Sequence, residues 1–215
     1  MDLTLEELKA KVENNEIEYI RPFAHALRKE GHYFEAYQNY IKSIRYGHPY
    51  SARYICEMCY SGDLDQYLTK EEQFNWLLRF YDTCGVDYYT YILAKWYKDG
   101  IGVKKDINKY IHYLTLCSED GSSNATIELA KCYEDGFGVE KSYEKAFKLY
   151  DEYHDEHGKP DMYCLYKVAY YHYYELAGKT RDLAYIKKLL LYAGKYDLEA
   201  KAFYIEIFKE DFPKQ

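Results

Sequence analysis

"LAKWYKDGIGV" at residues 93–103 returns as "LAKCYEDGFGV" at residues 129–139, after 36 residues and with both glycines and the valine retained. In each copy the apolar residues before the glycines recur with the period of a helix, and a second helical segment follows the loop. A phosphate-binding glycine loop would instead require a strand before it. The two stretches therefore indicate a repeat architecture, in which each glycine loop joins one helix to the next.

The rest of the chain also favours an all-α fold. Its 215 residues include 48% hydrophobic residues and only four prolines, and strand-like alternation is missing. Helix start signals recur, among them the capping boxes at Thr4 with Glu7 and at Thr69 with Glu72, and glycines such as Gly178 mark helix ends. We predict twelve helices, over residues 4–14, 22–30, 33–46, 50–60, 70–83, 87–98, 106–118, 122–134, 142–157, 160–176, 182–193 and 197–209.

The repeated residues resemble the Sel-like repeat (SLR), a relative of the tetratricopeptide repeat. The pattern is carried by Leu93, Ala94, Tyr97, Gly100, Gly102, Val103, Asp106, Lys109 and Gly121, and again by Leu129, Ala130, Tyr133, Gly136, Gly138, Val139 and Lys145. A weaker copy precedes them, and a degenerate copy follows in which "YYELAGKT" replaces the loop glycines. The resemblance implies a right-handed α-solenoid of about five stacked helical hairpins with capping helices.

The same resemblance predicts how the chain is divided. We expect a single α-solenoid domain over residues 1–215. Its segments are an N-terminal cap at 1–19, a tetratricopeptide-like hairpin at 20–49, a degenerate SLR at 50–86, SLRs at 87–121 and 122–160, a degenerate SLR at 161–196 and a C-terminal cap at 197–215.

The cysteines and the termini indicate an intracellular protein. Six cysteines are few for a disulfide-built secreted chain of this size, so we expect free thiols in a reducing compartment. Cys56 and Cys59 form a C-x-x-C pair that could be half a zinc site, but no second close pair follows, which favours thiols in the core. Neither a signal peptide nor a membrane-spanning apolar run is present, so we expect a soluble, cytoplasmic chain.

Two further motifs were weighed for chemistry. Ser142 and Lys145 spell S-x-x-K, the acylating pair of penicillin-binding enzymes, but no S-D-N or K-T-G accompanies them, and Ser142 also fits a helix N-cap. His154 and His157 have a spacing that can chelate a metal, yet the acidic residues between them favour a solvated surface. We therefore predict no enzyme activity, no metal and no cofactor.

A partner-binding surface is the function that remains. In tetratricopeptide-type solenoids the first helix of each hairpin lines the concave face, and the resemblance carries twenty such positions onto this chain. Eight of them are tyrosine, against 22 of the other 195 residues, and their formal charge is +3 in a chain of net charge -7. The predicted binding residues are Arg21, Arg28, Tyr50, Arg53, Tyr60, Tyr88, Tyr91, Lys95, Lys98, Lys131, Tyr163, Tyr166, Tyr170 and Tyr173; the other positions are Glu18, His25, Glu57, Asn124, Ile127 and Glu134.

This surface predicts a non-catalytic adaptor or scaffold that binds another protein or peptide through an acidic or aromatic-containing segment. Three alternatives stay open. The same tyrosines and cations could bind single-stranded nucleic acid or a nucleotide by stacking and phosphate contacts, although the net charge of -7 disfavours nonspecific binding to nucleic acid or anionic membranes. The tyrosines could instead substitute for other core aromatics, and Ser142 could belong to a hydrolase.

Overall fold

The computed structural model describes residues 3–153 and 161–213, and within them it contains helices, turns and loops but no strand. The all-α prediction is confirmed. Short 3-10 turns lie at Ile17–Tyr19 and Leu176–Gly178. The described α-helices are α1 Leu5–Glu13, α2 Ile20–Lys29, α3 Tyr33–Arg45, α4 Ser51–Ser61, α5 Lys70–Cys84, α6 Tyr88–Asp99, α7 Ile107–Glu119, α8 Ser123–Asp135, α9 Tyr143–Glu152, α10 Met162–Tyr173, α11 Leu183–Ala193 and α12 Leu198–Phe208.

Side-chain caps explain why several helices begin where they do. At α1 the Thr4 hydroxyl accepts a hydrogen bond from the Glu7 amide at 3.3 Å, and the Glu7 carboxylate accepts one from the Thr4 amide at 2.7 Å. The same reciprocal pair, Thr69 with Glu72, starts α5. Each such cap satisfies donors that the helix leaves unpaired and contributes about 1 kcal/mol. Both predicted capping boxes are therefore present.

Consecutive helices pack as hairpins, α2 against α3, α8 against α9 and α10 against α11, which is the solenoid arrangement that the repeat pattern predicts. The chain forms two compact units, Met1–Tyr113 and Leu114–Gln215, so the boundary falls within α7. We describe each unit by itself. The assignment of the whole chain to one domain stays a prediction.

The first unit is built around α1 to α5. Its core centres on Ala24 of α2, Ala36 and Tyr40 of α3 and Ile55 and Met58 of α4, all of which are fully buried. The two alanines lie in the α2–α3 hairpin, where a small side chain lets the helices approach closely. Tyr40 is the largest side chain of this core, and its hydroxyl contacts Nδ1 of His25 at 2.8 Å.

The second unit has two adjoining cores. One joins α8, α9 and α10 around Ala130, Ala146 and Tyr171, and the other joins α10, α11 and α12 around Ala169 and Leu190. All five of these residues are fully buried. Ala94 of α6, in the first unit, is also fully buried.

The loop glycines adopt a left-handed backbone conformation, with a positive φ, that other residues rarely adopt. α6 ends at Gly100 with a φ of 76°, and the second glycine of the same loop, Gly102, has a φ of 67°. Gly102 also lies directly on the backbone at the start of α5, because a Cβ at this position would overlap the carbonyl group of Lys70. The second glycine is therefore required both by the left-handed conformation and by the close contact between neighbouring hairpins.

The degenerate repeat keeps this loop geometry without glycine. Gly100 and Gly102 stand six and eight residues after Ala94, and Glu175 and Ala177 stand at the same distances after Ala169. Glu175 and Ala177 have φ values of 55° and 53°, so both are left-handed. α10 accordingly ends at Tyr173, earlier than the predicted residue 176, and Gly178 closes a 3-10 turn instead of an α-helix.

The contact at Gly102 can be tested by substitution. We expect Gly102→Ala to lower the free energy of unfolding by about 3 kcal/mol or more, because it adds an overlap with the Lys70 backbone to the strain of a positive φ. Gly31→Ala is the matched control, since Gly31 has a φ of 84° but no atom lies within 4 Å of its Cβ position. It should cost about 1–2 kcal/mol. Equal losses in urea unfolding would contradict the close contact.

At a left-handed residue of the degenerate repeat, we expect substitution by glycine to stabilise the protein. Glu175 is exposed, so replacing it removes little packing and mainly relieves its backbone. We expect Glu175→Gly to raise the free energy of unfolding by about 0.5–1 kcal/mol, because the strain of a left-handed residue exceeds the entropy that glycine adds to the unfolded chain. Urea unfolding measures this change. A loss of stability would mean that Glu175 is not left-handed in solution.

Candidate partner-binding surface

The first unit holds nine of the predicted binding residues, on α2, α4 and α6 and just before α4. None of them is buried. Three are aromatic side chains with large exposed fractions, Tyr50 at 64%, Tyr60 at 55% and Tyr88 at 50%. We name these three residues the tyrosine patch. The other six are Arg21, Arg28, Arg53, Tyr91, Lys95 and Lys98.

Two members of the tyrosine patch connect successive hairpins. The rings of Tyr60, at the end of α4, and Tyr88, at the start of α6, meet edge to face with centroids 6.0 Å apart. A hydrogen bond between their side chains raises the pKa of the Tyr88 hydroxyl. Two exposed rings that already support each other lose little freedom on binding, which suits them as contact residues.

The arginines of this surface are paired with carboxylates. The guanidinium of Arg28 lies 3.1 Å from the Glu57 carboxylate and 3.4 Å from the Asp63 carboxylate, and Nε of Arg53 lies 3.9 Å from the carboxylate of Asp87. Asp63 and Asp87 were not among the predicted positions. They offset much of the positive charge that the sequence placed on the first unit.

Asp87 forms a helix start signal that was not predicted from the sequence. It is the N-cap of α6: its carboxylate accepts a hydrogen bond from the Tyr89 amide at 3.4 Å, and its own amide donates to the Thr90 hydroxyl at 3.0 Å. The Asp-x-x-Thr spacing before an apolar period is a recognisable start signal. Because α6 begins at this residue, Asp87 lies beside the first turn of the helix and within reach of Arg53.

The two predicted lysines of the first unit lie against aromatic rings. The ammonium group of Lys95 lies 5.6 Å from the ring centroid of Tyr91, and that of Lys98 lies 5.0 Å from the ring centroid of Tyr110. A cation over an aromatic face keeps its charge and is attracted to the ring. Lys95 therefore retains a charge that a partner can contact, and no carboxylate among the described residues pairs with it.

A depression of about 390 Å³ lies at the α2 end of this surface. It is lined by His25, Arg28, Lys29, Tyr33 and Asp63. Burial, together with the nearby positive charges of the arginines, lowers the pKa of His25. The imidazole is therefore neutral at physiological pH, which fits its contact with the buried Tyr40 hydroxyl.

The second unit holds the other five predicted residues, and most of them serve packing. Tyr166, Tyr170 and Tyr173 of α10 surround the ring of Phe203 on α12, with centroids 5.7, 5.6 and 5.5 Å away. Burial raises the pKa of Tyr166 to about 12. In contrast to the tyrosine patch, these three side chains are half-buried because α12 covers them.

The remaining two predicted residues of this unit contact each other. The ammonium group of Lys131 on α8 lies 4.7 Å from the ring centroid of Tyr163 on α10. Lys131 is exposed, whereas Tyr163 is half-buried. Burial raises the pKa of Tyr163 above its usual range. The structure therefore brings this pair together, but only the lysine offers most of its surface to a partner.

Glu134, one of the positions carried over from the resemblance, lies in a polar network inside the second unit. Its carboxylate is 2.7 Å from the ammonium group of Lys167, and it accepts hydrogen bonds from the hydroxyls of Tyr171 at 2.9 Å and Tyr150 at 3.2 Å. The side chains of Lys167 and Glu134 are only 12% and 16% exposed. Lys167 was missed, although it is the only Asp, Glu, Lys or Arg in α10.

The motifs weighed for chemistry have structural roles. Ser142 caps α9 by accepting a hydrogen bond from the Lys145 amide at 3.2 Å, while the ammonium group of Lys145 lies 5.2 Å from the Tyr133 ring centroid instead of on the serine. Cys56 and Cys59 are buried thiols, and burial raises the pKa of Cys59 to about 12. Within residues 3–153 and 161–213, no group of His, Cys, Asp and Glu could hold a metal ion.

His154 and His157 lie outside the described residues. Among the helices of the described part, none is long and apolar enough to cross a membrane.

The stacked hairpins define the class of protein as an all-helical repeat solenoid, and comparisons identify the repeat. The sequence matches the Sel1 repeat over residues 88–122, 123–152 and 163–185. The chain therefore contains three Sel1 repeats, and its resemblance to the Sel-like repeat family is confirmed. Sel1 repeat proteins are generally non-catalytic and serve as scaffolds for protein interactions.

Solved structures support the same fold. A Sel1 repeat protein from Oxalobacter formigenes is 23% identical, with a TM-score of 0.68 over 86% of this chain and 74% of that chain. A protective antigen present in uropathogenic Escherichia coli strains, which displays an SLR fold, is 18% identical with a TM-score of 0.71; the match covers 95% of this chain and 44% of the antigen. At these identities the likeness concerns the fold alone. No curated protein sequence matches the chain.

We expect the stability of the buried network around Glu134 to depend on its cation, and a second substitution to restore part of the stability that is lost without it. We expect Lys167→Met to lower the free energy of unfolding by about 2–4 kcal/mol, because it leaves the Glu134 carboxylate without its cation in a poorly solvated site. Lys167→Met combined with Glu134→Gln should recover part of this loss, since the amide needs no counter-charge. Urea unfolding of the two single variants and the double variant gives the coupling. Additive losses would contradict the ion pair.

Proposed function

We propose that this protein is a non-catalytic adaptor that binds a partner protein or peptide on the first-helix faces of its hairpins, with the tyrosine patch as the main contact. The observation that carries the proposal is the exposure of Tyr50, Tyr60 and Tyr88 at the starts and ends of two successive first helices. The scaffold role of Sel1 repeats supports it.

The tyrosine patch suits partner binding for physical reasons. A tyrosine side chain offers a large apolar area, loses little rotamer freedom and ends in a hydroxyl that fixes the orientation of the partner. Tyr60 and Tyr88 already contact each other, so a partner does not have to order them separately. A side chain that enters between such rings contributes more than a contact at the edge of the surface.

The charges beside the tyrosine patch refine the predicted partner. Arg28 and Arg53 already pair with carboxylates, whereas Lys95 lies over the ring of Tyr91 and pairs with no carboxylate of residues 3–153 and 161–213. A partner carboxylate can therefore add to Lys95 without displacing another, but it has to compete with Asp87 for Arg53. We propose a partner segment in which an aromatic or apolar residue contacts the tyrosines and a single carboxylate contacts Lys95.

The paired arginines bear on the nucleic-acid alternative. Phosphate binding needs cations that are free to follow the backbone of the strand. Asp63 and Asp87 would repel phosphates next to the same arginines that were predicted to bind them. The adaptor proposal is therefore favoured, and the salt dependence of binding to single-stranded oligonucleotides separates the two.

The proposal is tested by finding and then weakening the complex. A photo-crosslinking amino acid placed at Tyr88 in the full chain, expressed in its native host, should capture the partner for mass spectrometry. With the purified partner, we expect Tyr60→Ala and Tyr88→Ala each to weaken binding about 10- to 100-fold, equivalent to about 1.4–2.7 kcal/mol, if the rings are central contacts. Lys95→Glu should weaken binding and lower its salt dependence.

Matched controls separate the tyrosine patch from a general loss of structure. Tyr46 is 49% exposed and follows α3, the second helix of its hairpin, so Tyr46→Ala removes an equally exposed ring outside the tyrosine patch. Lys148→Glu on α9 reverses a charge on another second helix. Both should bind the partner like the unchanged protein, and all variants should keep its melting temperature. If Lys148→Glu abolishes binding while the tyrosine variants do not, the partner binds the second-helix face.

A further inference from the structure

A second apolar surface lies at the C-terminal end of the second unit. It is a groove of about 740 Å³ that follows one face of α11 and includes Leu165 of α10. Its apolar lining residues are Leu165, Ala184, Leu189, Leu191 and Tyr192. We name this surface the α11 groove. Tyr192 is 47% exposed, so a large aromatic side chain stands at its edge without being covered by the described chain.

The helical spacing explains why these side chains form one groove. Lys188 lies four residues after Ala184, Leu191 and Tyr192 lie three and four residues after Lys188, and Lys195 lies four and three residues after them. This spacing places them on a single face of α11 and the turn after it. The opposite face, with Ile186 and Leu190, is buried in the core between α10 and α12. α11 therefore has apolar residues on both sides; on the groove side Leu191 is partly buried against the same core, whereas Ala184 and Tyr192 remain exposed.

The charge on the α11 groove is entirely positive. Lys187, Lys188 and Lys195 are its only charged lining residues. The ammonium group of Lys187 is paired with the Glu210 carboxylate at 2.8 Å. Lys188 and Lys195 are exposed and pair with no carboxylate in the described part of the chain. The net charge of the protein is -7, yet two unpaired cations lie together beside this apolar groove, and they make no ion pair with the described residues that would stabilise the fold.

From this combination we infer that the α11 groove is a second docking surface, and that its occupant is an acidic amphipathic helix of another protein. A helix fits because its apolar residues recur at the same three- and four-residue intervals as the residues of α11. Lys188 and Lys195 are seven residues apart, about 10.5 Å along a helix. Two carboxylates seven residues apart on the partner helix match them, with apolar side chains between.

This inference does not rest on the proposed role of the tyrosine patch. The tyrosine patch belongs to the first unit and the α11 groove to the second, so either can fail without the other. If both bind, the chain connects two partners, which is how a protein without catalysis can act as an adaptor.

The experiment uses the full chain and two synthetic helical peptides of about three turns each. Both have leucine at positions i, i+3, i+4 and i+7. One has glutamate beside the leucines, including two glutamates seven residues apart, and the other has lysine at the same positions. Fluorescence anisotropy should show binding of the glutamate peptide at least about tenfold tighter than that of the lysine peptide.

Variants of the protein then locate the site. Lys188→Glu combined with Lys195→Glu should weaken the glutamate peptide at least about tenfold and reverse the preference in favour of the lysine peptide. Tyr192→Ala should weaken both peptides. Lys201→Glu is the matched control, because it reverses an exposed lysine of α12 in the same unit outside the α11 groove, and it should change neither affinity.

Four outcomes overturn the inference. Absence of glutamate-peptide binding, or equal binding of both peptides, removes the acidic helix as the occupant. Binding unaffected by the double lysine reversal places the peptide elsewhere. Binding to phosphatidylserine vesicles through the same lysines, without peptide binding, means that the surface is for membranes. A dimer that Tyr192→Ala dissociates, seen by light scattering, means that a second copy of the chain covers the groove.

Discussion

Close packing between the helices of each hairpin, at buried alanines, is the constraint on which the rest of the structure depends. Ala24 and Ala36, and Ala130 and Ala146, are fully buried within the hairpins α2–α3 and α8–α9. A small residue there brings the two helix axes together and leaves the larger gaps between one hairpin and the next. Aromatic side chains fill those gaps, and this explains why a chain with 30 tyrosines can be well packed.

Burying tyrosine carries a condition, because its hydroxyl requires a hydrogen-bond partner. The structure meets this condition with a small set of polar side chains. His25 contacts the hydroxyl of Tyr40, and Glu134 accepts from both Tyr150 and Tyr171. Glu134 in turn needs Lys167, because a half-buried carboxylate without a cation is costly. The core tyrosines thus fix the positions of polar residues that sequence spacing alone places on the surface.

This coupling explains what the sequence could and could not reveal. Local signals such as the Thr4 and Thr69 capping boxes depend on residues three apart, so the helices and the repeat could be predicted. Whether a tyrosine on a first helix is exposed depends on the element that packs beside it. Tyr88 remains exposed, whereas Tyr163, at the equivalent repeat position, is half-buried and contacts the ring of Tyr150 on α9. Repeat spacing holds no information about that contact.

For a related reason, the sequence did not show that carboxylates offset much of the positive charge of the surface. Repeat positions were counted only along the first helices and so included Glu57 of α4, whereas Asp63 and Asp87, which also pair with the arginines, belong to the loop after α4 and the N-cap of α6. A loop residue reaches the helix face only through the turn that places it, as the Thr90 contact places Asp87.

Arginines held by their own carboxylates act differently from free cations in recognition. A partner carboxylate that contacts Arg53 gains an ion pair only by competing with Asp87, so the net gain in affinity is small. A partner without a carboxylate at that point leaves the existing pair intact and loses nothing. A partner cation, however, meets an arginine and is repelled, while the paired aspartate can no longer turn towards it. For the proposed partner, such pairs would therefore contribute mainly to specificity, and the affinity would come from the exposed tyrosines.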